Sequence, residues 1–427
     1  DYPLDRTSFQ FSGYVTDNSP PSTKACDIVE EWNKKYEWPK LKLALASEFM
    51  VYVDKNHPEI LETKQEAWPD WWTDGFGTAM NETKTSRETA TEMIATTGLL
   101  AMAQSAGATI PQTIYNDIEL CYDNLLFYTE HTFGADESIS NPTSLNSKDQ
   151  WSQKSSYVWT AFQQANLLRE KAIGLVQPFV NLPEKASVTV YNTLNWKRSG
   201  MVEAFIYHDI LPLDKDFLIT DAMGNKVPAQ RIKSRSEGSY WALWVEDIPA
   251  MGYTNLEITV LDQAPLSHSV SQQIADTYEN DYYRIVFDTE KNGIISIFDK
   301  ALKKEILDTN AMYPLGSFIY EEVVHRGELE RLTNNNRDTA YRAIKRTLNT
   351  MTDFRILDVV EGELWTTIKC NGKIDPCADE KGINMEVRLY KQTKQIELLY
   401  GMTKRSNTDP NAIYIAFPFG SEDNSQL

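Results

Sequence analysis

Hydrophobic positions recur along this chain with two periods, and the change from one to the other falls near Leu182. Up to about Asn56 the pattern is mixed. Ala25, Ile28, Val29, Trp32 and Tyr36 share one helical face, which Pro20-Pro21 opens and Pro39 stops. Leu41, Leu43 and Leu45 alternate with Lys42 and Ala44 as a short strand, and Ser47 is placed to cap a helix through Val53. A helix, strand, helix run of this length is the end of an α/β domain, too small to be such a domain by itself.

From Trp68 to Val180 the period is helical. Glu82 to Ala106 contains few breakers and ends at Gly107. Pro111 opens a second helix, in which Ile114, Ile118, Cys121, Leu125 and Tyr128 form one stripe and Gly134 marks the end. Ser147 and Gln150 have capping-box spacing. A third helix then runs through Trp151, Val158, Phe162, Ala165, Leu168 and Ala172 to Pro178. Three such helices pack most simply as an antiparallel bundle.

Beyond Leu182 the period becomes two. Val188–Tyr191, Val202–Tyr207, Trp241–Val245 and Leu256–Leu261 read as strands, and the Ser- and Gln-rich stretch from Asp262 to Thr277 reads as a linker. Asn292-Gly293 and Gln392-Thr393-Lys394 each join two alternating runs as a hairpin. The expected fold is multidomain α+β. It comprises an α/β remnant at 1–60, a helical middle domain at 61–181, a β-sandwich at 182–265 and a larger β-sandwich at 276–427.

Composition narrows the function classes. Among 427 residues, 42 Lys+Arg against 61 Asp+Glu leave a charge of −19, with no basic block. Nucleic acid and anionic membranes both require clustered cations, so neither is an expected partner. No apolar run approaches the roughly twenty residues of a membrane span. Four scattered cysteines make neither a disulfide scaffold nor a zinc knuckle. Cys370 and Cys377 flank a turn-rich stretch that could let them meet, and two free buried thiols are the alternative. This cysteine usage fits either side of a membrane. Eleven Trp and 21 Tyr exceed the usual share, as in proteins that hold sugars against flat rings, although most such rings lie in cores.

No Walker loop, GxGxxG, GxSxG, HExxH or EF-hand loop occurs, and no two of the five histidines have local metal-ligand spacing. Three stretches remain. Trp68 to Gly77 sets three tryptophans beside Asp70 and Asp74, either as a wall for a sugar or as a plug on the helices. Tyr128 to Ala135 contains His131 at the end of the second helix, off its apolar stripe. There it either caps helix carbonyls or serves as a metal ligand with partners from elsewhere. Asp17 precedes Pro20-Pro21, either in an Asx-turn or as a carboxylate projecting into a cleft.

In order, these stretches resemble the glycoside hydrolase family 38 α-mannosidases. Thr16 to Pro21, Glu31-Trp32-Asn33 and Leu41-Lys42-Leu43 are similar to the end of the family's catalytic α/β barrel. Trp68 to Ala79 resembles its tryptophan-glycine loop, and Glu130 to Gly134 its zinc-histidine segment. Val188 to Gly200, Asn280 to Lys300 and Tyr414 to Phe419 resemble its β domains, of which the last is supersandwich-like. The resemblance implies a retaining exo-α-mannosidase acting on terminal α-mannose of glycans. Zinc would be the cofactor, a mannose-containing glycan the partner, and the oligomeric state stays open. Carried over, His131 matches the zinc-ligand histidine, Asp17 the acid/base, and Trp72 the sugar-stacking tryptophan, with Asp74 its neighbour.

The family's His-x-Asp zinc pair and nucleophilic aspartate have no counterpart in residues 1–60. A catalytic zinc needs three protein ligands, and one is nameable here. The expectation is therefore the C-terminal portion of a longer enzyme, inactive alone and not retaining zinc. Two other classes compete with it. One is a non-catalytic carbohydrate-binding protein using the Trp68–Asp74 loop and the β domains; the other is an interaction module whose aromatics are all core.

Overall fold

The structure, a computed structural model, describes residues 2–10, 20, 22–63, 76–77, 79–130, 137–138, 140–264, 269–323, 327 and 345–420. The chain divides into two compact units, Asp1–Thr73 and Asp74–Leu427. The first carries helices α1 (Lys24–Lys35) and α2 (Ala46–Asn56), with a 3-10 turn at Pro58–Ile60. The strand expected at Leu41–Leu45 does not form. Both backbone groups of Leu41 are taken by the side chain of Asn33, whose Oδ1 accepts from Leu41 N at 3.0 Å and whose Nδ2 donates to Leu41 O at 2.8 Å. With no neighbouring strand among the described residues, alternation alone cannot build a ladder. Ser47 is not the cap of α2 either. The carboxylate of Glu48 does that work, accepting from Leu45 N at 3.1 Å.

The second unit begins with three helices, α3 (Met80–Ala106), α4 (Gln112–Tyr128) and α5 (Leu145–Val176). Gly107, at φ 111°, ends α3 in the left-handed region and lets Ala108 N return to Ala103 O at 2.9 Å. The expected start of α5 moves upstream. Ser144 caps it, accepting from Ser147 N at 3.1 Å, while the Ser147 hydroxyl donates to Asn141 O. Met93, Leu100 and Ala103 of α3 bury against Ile114, Cys121 and Leu125 of α4 and Ala161, Ala165 and Leu168 of α5. The alanines of α5 keep the helices close, and Cys121 Sγ lies 3.4 Å from Ala161 O. Each leucine or isoleucine buried in such a core contributes about 1.5–3 kcal/mol.

The remainder is antiparallel sheet. Strands β1 (Ser187–Asn192), β3 (Asp216–Thr220) and β6 (Gly252–Leu261) pair in the order β1-β6-β3. Strands β2 (Arg198–Tyr207), β4 (Ala229–Ser234) and β5 (Gly238–Ile248) pair in the order β2-β5-β4, and Val190, Ile219, Leu243 and Leu256 share one core between these two sheets. Tyr191 of β1 packs on the helical core. At the same joint α3 comes so close that a Cβ on Gly98 would sit 2.6 Å from Thr193 Cβ. Part of the expected linker is itself paired, as β7 (Ser269–Ser271), an exposed edge strand on β8 (Thr352–Gly362).

From β8 the five-stranded sheet continues through β9 (Trp365–Lys373) and β10 (Ile383–Tyr390) to β11 (Ile396–Gly401). Both expected hairpins are present. Tyr283–Asp288 pairs with Gly293–Asp299 around Asn292, whose φ of 62° is the conformation such turns demand, and β10 pairs with β11. Phe287, Ile294, Phe318, Ile368, Met385 and Val387 lie in the largest core. All four cysteines are free, and the closed pairing of Cys370 with Cys377 is not made.

Burial pushes the Cys121 thiol up to about 11 and the Cys370 thiol up to about 12, and it raises Cys377 as well. The thiolate is the reactive form, so these three are inert in the folded chain. A disulfide reagent at neutral pH is expected to modify exposed Cys26 promptly and the other three only after denaturant is added. Two or more fast thiols in the native protein would contradict this packing.

Candidate functional site

All four residues singled out by sequence, Asp17, Trp72, Asp74 and His131, lie outside the described residues. What the structure does describe is the framework from which two of the three stretches leave. The Trp68–Ala79 stretch ends on Phe76, Gly77 and Ala79, just ahead of α3. The Tyr128–Ala135 stretch begins on Tyr128, Thr129 and Glu130, at the end of α4.

These two points meet. Thr83 Oγ1, on the first turn of α3, donates to Phe76 O at 3.1 Å and lies 2.8 Å from Tyr128 Oη. The Phe76 and Tyr128 rings stand edge to face, with centroids 6.3 Å apart. Ala79, Tyr128 and Val158 form a small separate core, against which Phe76 and Tyr157 pack. Burial raises the Tyr128 phenol, so it stays protonated and serves as a hydrogen-bonding anchor.

The end of α4 is fully occupied as far as Phe127. Leu125 O accepts from both Thr129 N and Thr129 Oγ1 at 3.1 Å, and Leu126 O lies 3.2 Å from the same hydroxyl. Phe127 O accepts from Lys154 Nζ at 2.8 Å. The Lys154 ammonium is 7% exposed and lies 3.3 Å from Glu130 Oε2. Burial lowers its pKa, which the Glu130 carboxylate partly offsets. A lysine and a threonine thus perform the capping that a histidine at 131 would otherwise supply for these three carbonyls.

Sequence reasoning missed Lys154, although a signal was present. Lys154, Val158, Ala161, Ala165, Leu168 and Ala172 fall on one buried stripe of α5. A lysine on such a stripe requires a partner, because an unpaired buried ammonium is costly. Among the described residues no group of three or more His, Cys, Asp or Glu could hold a metal ion. No helix among them is long and apolar enough to cross a membrane.

Residues 278–423 match the family described as glycosyl hydrolases family 38 C-terminal domain. Among solved structures, an alpha-mannosidase from Enterococcus faecalis V583 resembles the chain with a TM-score of 0.53 at 12% identity, over 92% of this chain and 50% of that one. The chain thus spans half the length of that structure. No curated protein matches it.

Lys154→Met removes a donor from Phe127 O and an ion partner from Glu130, and is expected to lower stability by about 1–3 kcal/mol. The sign of its pH dependence follows from the lowered pKa. Between the folded pKa and the ordinary lysine value of 10.5 the unfolded chain binds more protons, so Lys154 adds stability as pH rises through that window. Denaturant titrations at several pH values up to 10.5 should show this rise in the native chain and its loss in the variant. An identical pH slope in both would refute the burial of the ammonium.

Proposed function

We propose, for a chain whose residues 278–423 match the family 38 C-terminal domain, that its parent is a retaining exo-α-mannosidase removing terminal α-mannose from glycans. The match over those residues is the observation that carries this reading. The shared fold with an alpha-mannosidase over 92% of the chain supports it. On this reading residues 1–60 are the end of the catalytic barrel, followed by the helices and the β domains.

Retaining hydrolysis uses two carboxyl groups about 5–5.5 Å apart, one attacking the anomeric carbon and the other protonating the leaving oxygen. Asp17 is assigned the proton-donor role, and the nucleophile is assigned to sequence outside these 427 residues. Trp72 offers a ring to the sugar's apolar face, with Asp74 accepting from its hydroxyls. Zinc, when bound, would act as a template and Lewis acid for the sugar hydroxyls. His131 is the residue assigned to hold it, and its partners are assigned to sequence outside the described residues.

His131 is assigned to the metal rather than to capping. The accounting at the end of α4 supports this, since Leu125, Leu126 and Phe127 carbonyls are already served by Thr129 and Lys154. A non-catalytic glycan binder is the competing class, and upstream sequence separates the two. A barrel-strand aspartate with a His-x-Asp pair favours the enzyme.

In the full-length protein, His131→Ala is expected to cut both zinc content and turnover of an aryl α-mannoside sharply. Stability should change by no more than about 1 kcal/mol. The 427-residue chain alone is expected to show neither turnover nor stoichiometric zinc. Full zinc and activity in the variant would refute the ligand assignment, and cleavage by the isolated chain would refute its incompleteness.

A further inference from the structure

A cleft of about 520 Å³ lies between the β2-β5-β4 sheet and the five-stranded sheet, far along the chain from every residue assigned above. Its size falls within the usual range for small-molecule sites. Its chemistry is one-sided. Lys215, Arg231, Lys369 and Arg388 line it, while Glu386 is the single carboxylate among the described lining residues. On a chain of charge −19 this is a local reversal.

The cations differ in how fully they are already used. Arg388 is held by Glu386 at 2.6 Å and Glu397 at 3.2 Å, and its guanidinium lies 5.1 Å from the Trp365 ring centroid. Lys369 lies 3.5 Å from Asp358, both half exposed, and the Asp262 partner of Lys215 is 97% exposed. Such pairs are worth little and are readily exchanged for a ligand. Arg231 has no acidic partner among the described residues.

Buried polar chemistry completes the site. Gln230 is 8% exposed, and its Oε1 accepts from Leu364 N at 2.9 Å and Trp365 N at 3.2 Å. Two backbone donors converging on one atom fix that atom as oxygen, which leaves Nε2 as the amide's other end. Nε2 donates to nothing among the described residues, and Gln230 lines the cleft. Nε2 is not among the buried unpartnered atoms, so it faces the solvent of the cleft, where a ligand oxygen can take the place of water.

We propose that this cleft binds a small polyoxygenated anion, a sugar carrying a carboxylate or phosphate. Gln230 Nε2, Arg231, Lys215 and Lys369 supply the donors. The cleft is too large for an isolated oxyanion, and the neighbouring Thr367 and Trp365 give the body of a sugar a mixed polar and aromatic wall. The proposal does not depend on the mannosidase reading, because it concerns binding by this chain alone.

Calorimetric titration of the 427-residue chain with glucuronate, glucose 6-phosphate and glucose tests it. At least one of the two anions should bind, more weakly as salt rises, with glucose at least about tenfold weaker than that anion. Replacing both exposed cations, Arg231→Ala with Lys369→Ala, should lower the anion's affinity by about tenfold or more with an unchanged melting curve. Gln230→Glu keeps an acceptor for the two backbone N–H groups while removing the donor, and should weaken binding likewise. Glucose binding as tightly as the anions, no binding of either anion, or full binding by the double variant would each overturn the proposal.

Discussion

Two places where a side chain is missing hold the larger unit in register. At Gly362 a Cβ would stand 2.1 Å from Gln230 Oε1, and at Gly98 a Cβ would stand 2.6 Å from Thr193 Cβ. The first lets an amide of the earlier β part hydrogen-bond the backbone of the later one. Around it, Lys226 pairs with Glu363 at 2.6 Å, and Ala242, Leu364, Trp365 and Tyr390 bury together. The second brings a helix against the connection that follows β1. Close approach of backbones at these positions determines where the sheets and helices sit, and the cleft and the end of α4 inherit their geometry from it.

The chemistry at the end of α4 is a division of labour among neighbours. Thr129 and Lys154 serve the helix carbonyls, Thr83 joins Phe76 to Tyr128, and Glu130 balances the buried ammonium. Among the described residues, the carbonyls of Leu125, Leu126 and Phe127 are thus served by two side chains, one at the end of α4 and one from α5, and the buried ammonium lies beside a carboxylate.

What was legible in the sequence depended on how local its cause is. The long helices and the Asn292-Gly293 hairpin were readable because periodicity and a positive φ are properties of a few consecutive residues. The Leu41–Leu45 strand was misread because a ladder needs a neighbour, which alternation cannot supply. The start of α5 was misplaced by three residues because Ser144 and Ser147 both offer a capping hydroxyl, and only the path of the preceding loop decides between them. Gln230 was invisible for another reason: its partners Leu364 and Trp365 lie 134 and 135 residues away. Asp17, Trp72, Asp74 and His131 were nominated by local composition and by the order of family-like stretches, and all four lie outside the described residues.

One helix carries both ends of this arrangement. Thr83, which joins Phe76 to Tyr128, and Gly98, which abuts Thr193, are fifteen residues apart on α3, about 22 Å along a rigid axis. The helix is thus a ruler whose two marks are read by different parts of the molecule. A residue inserted between them would turn one mark by about 100° against the other, so that no substitution elsewhere could restore both contacts at once. Between Thr83 and Gly98 the exposed positions can vary in composition, the buried Met93 far less, and the length not at all.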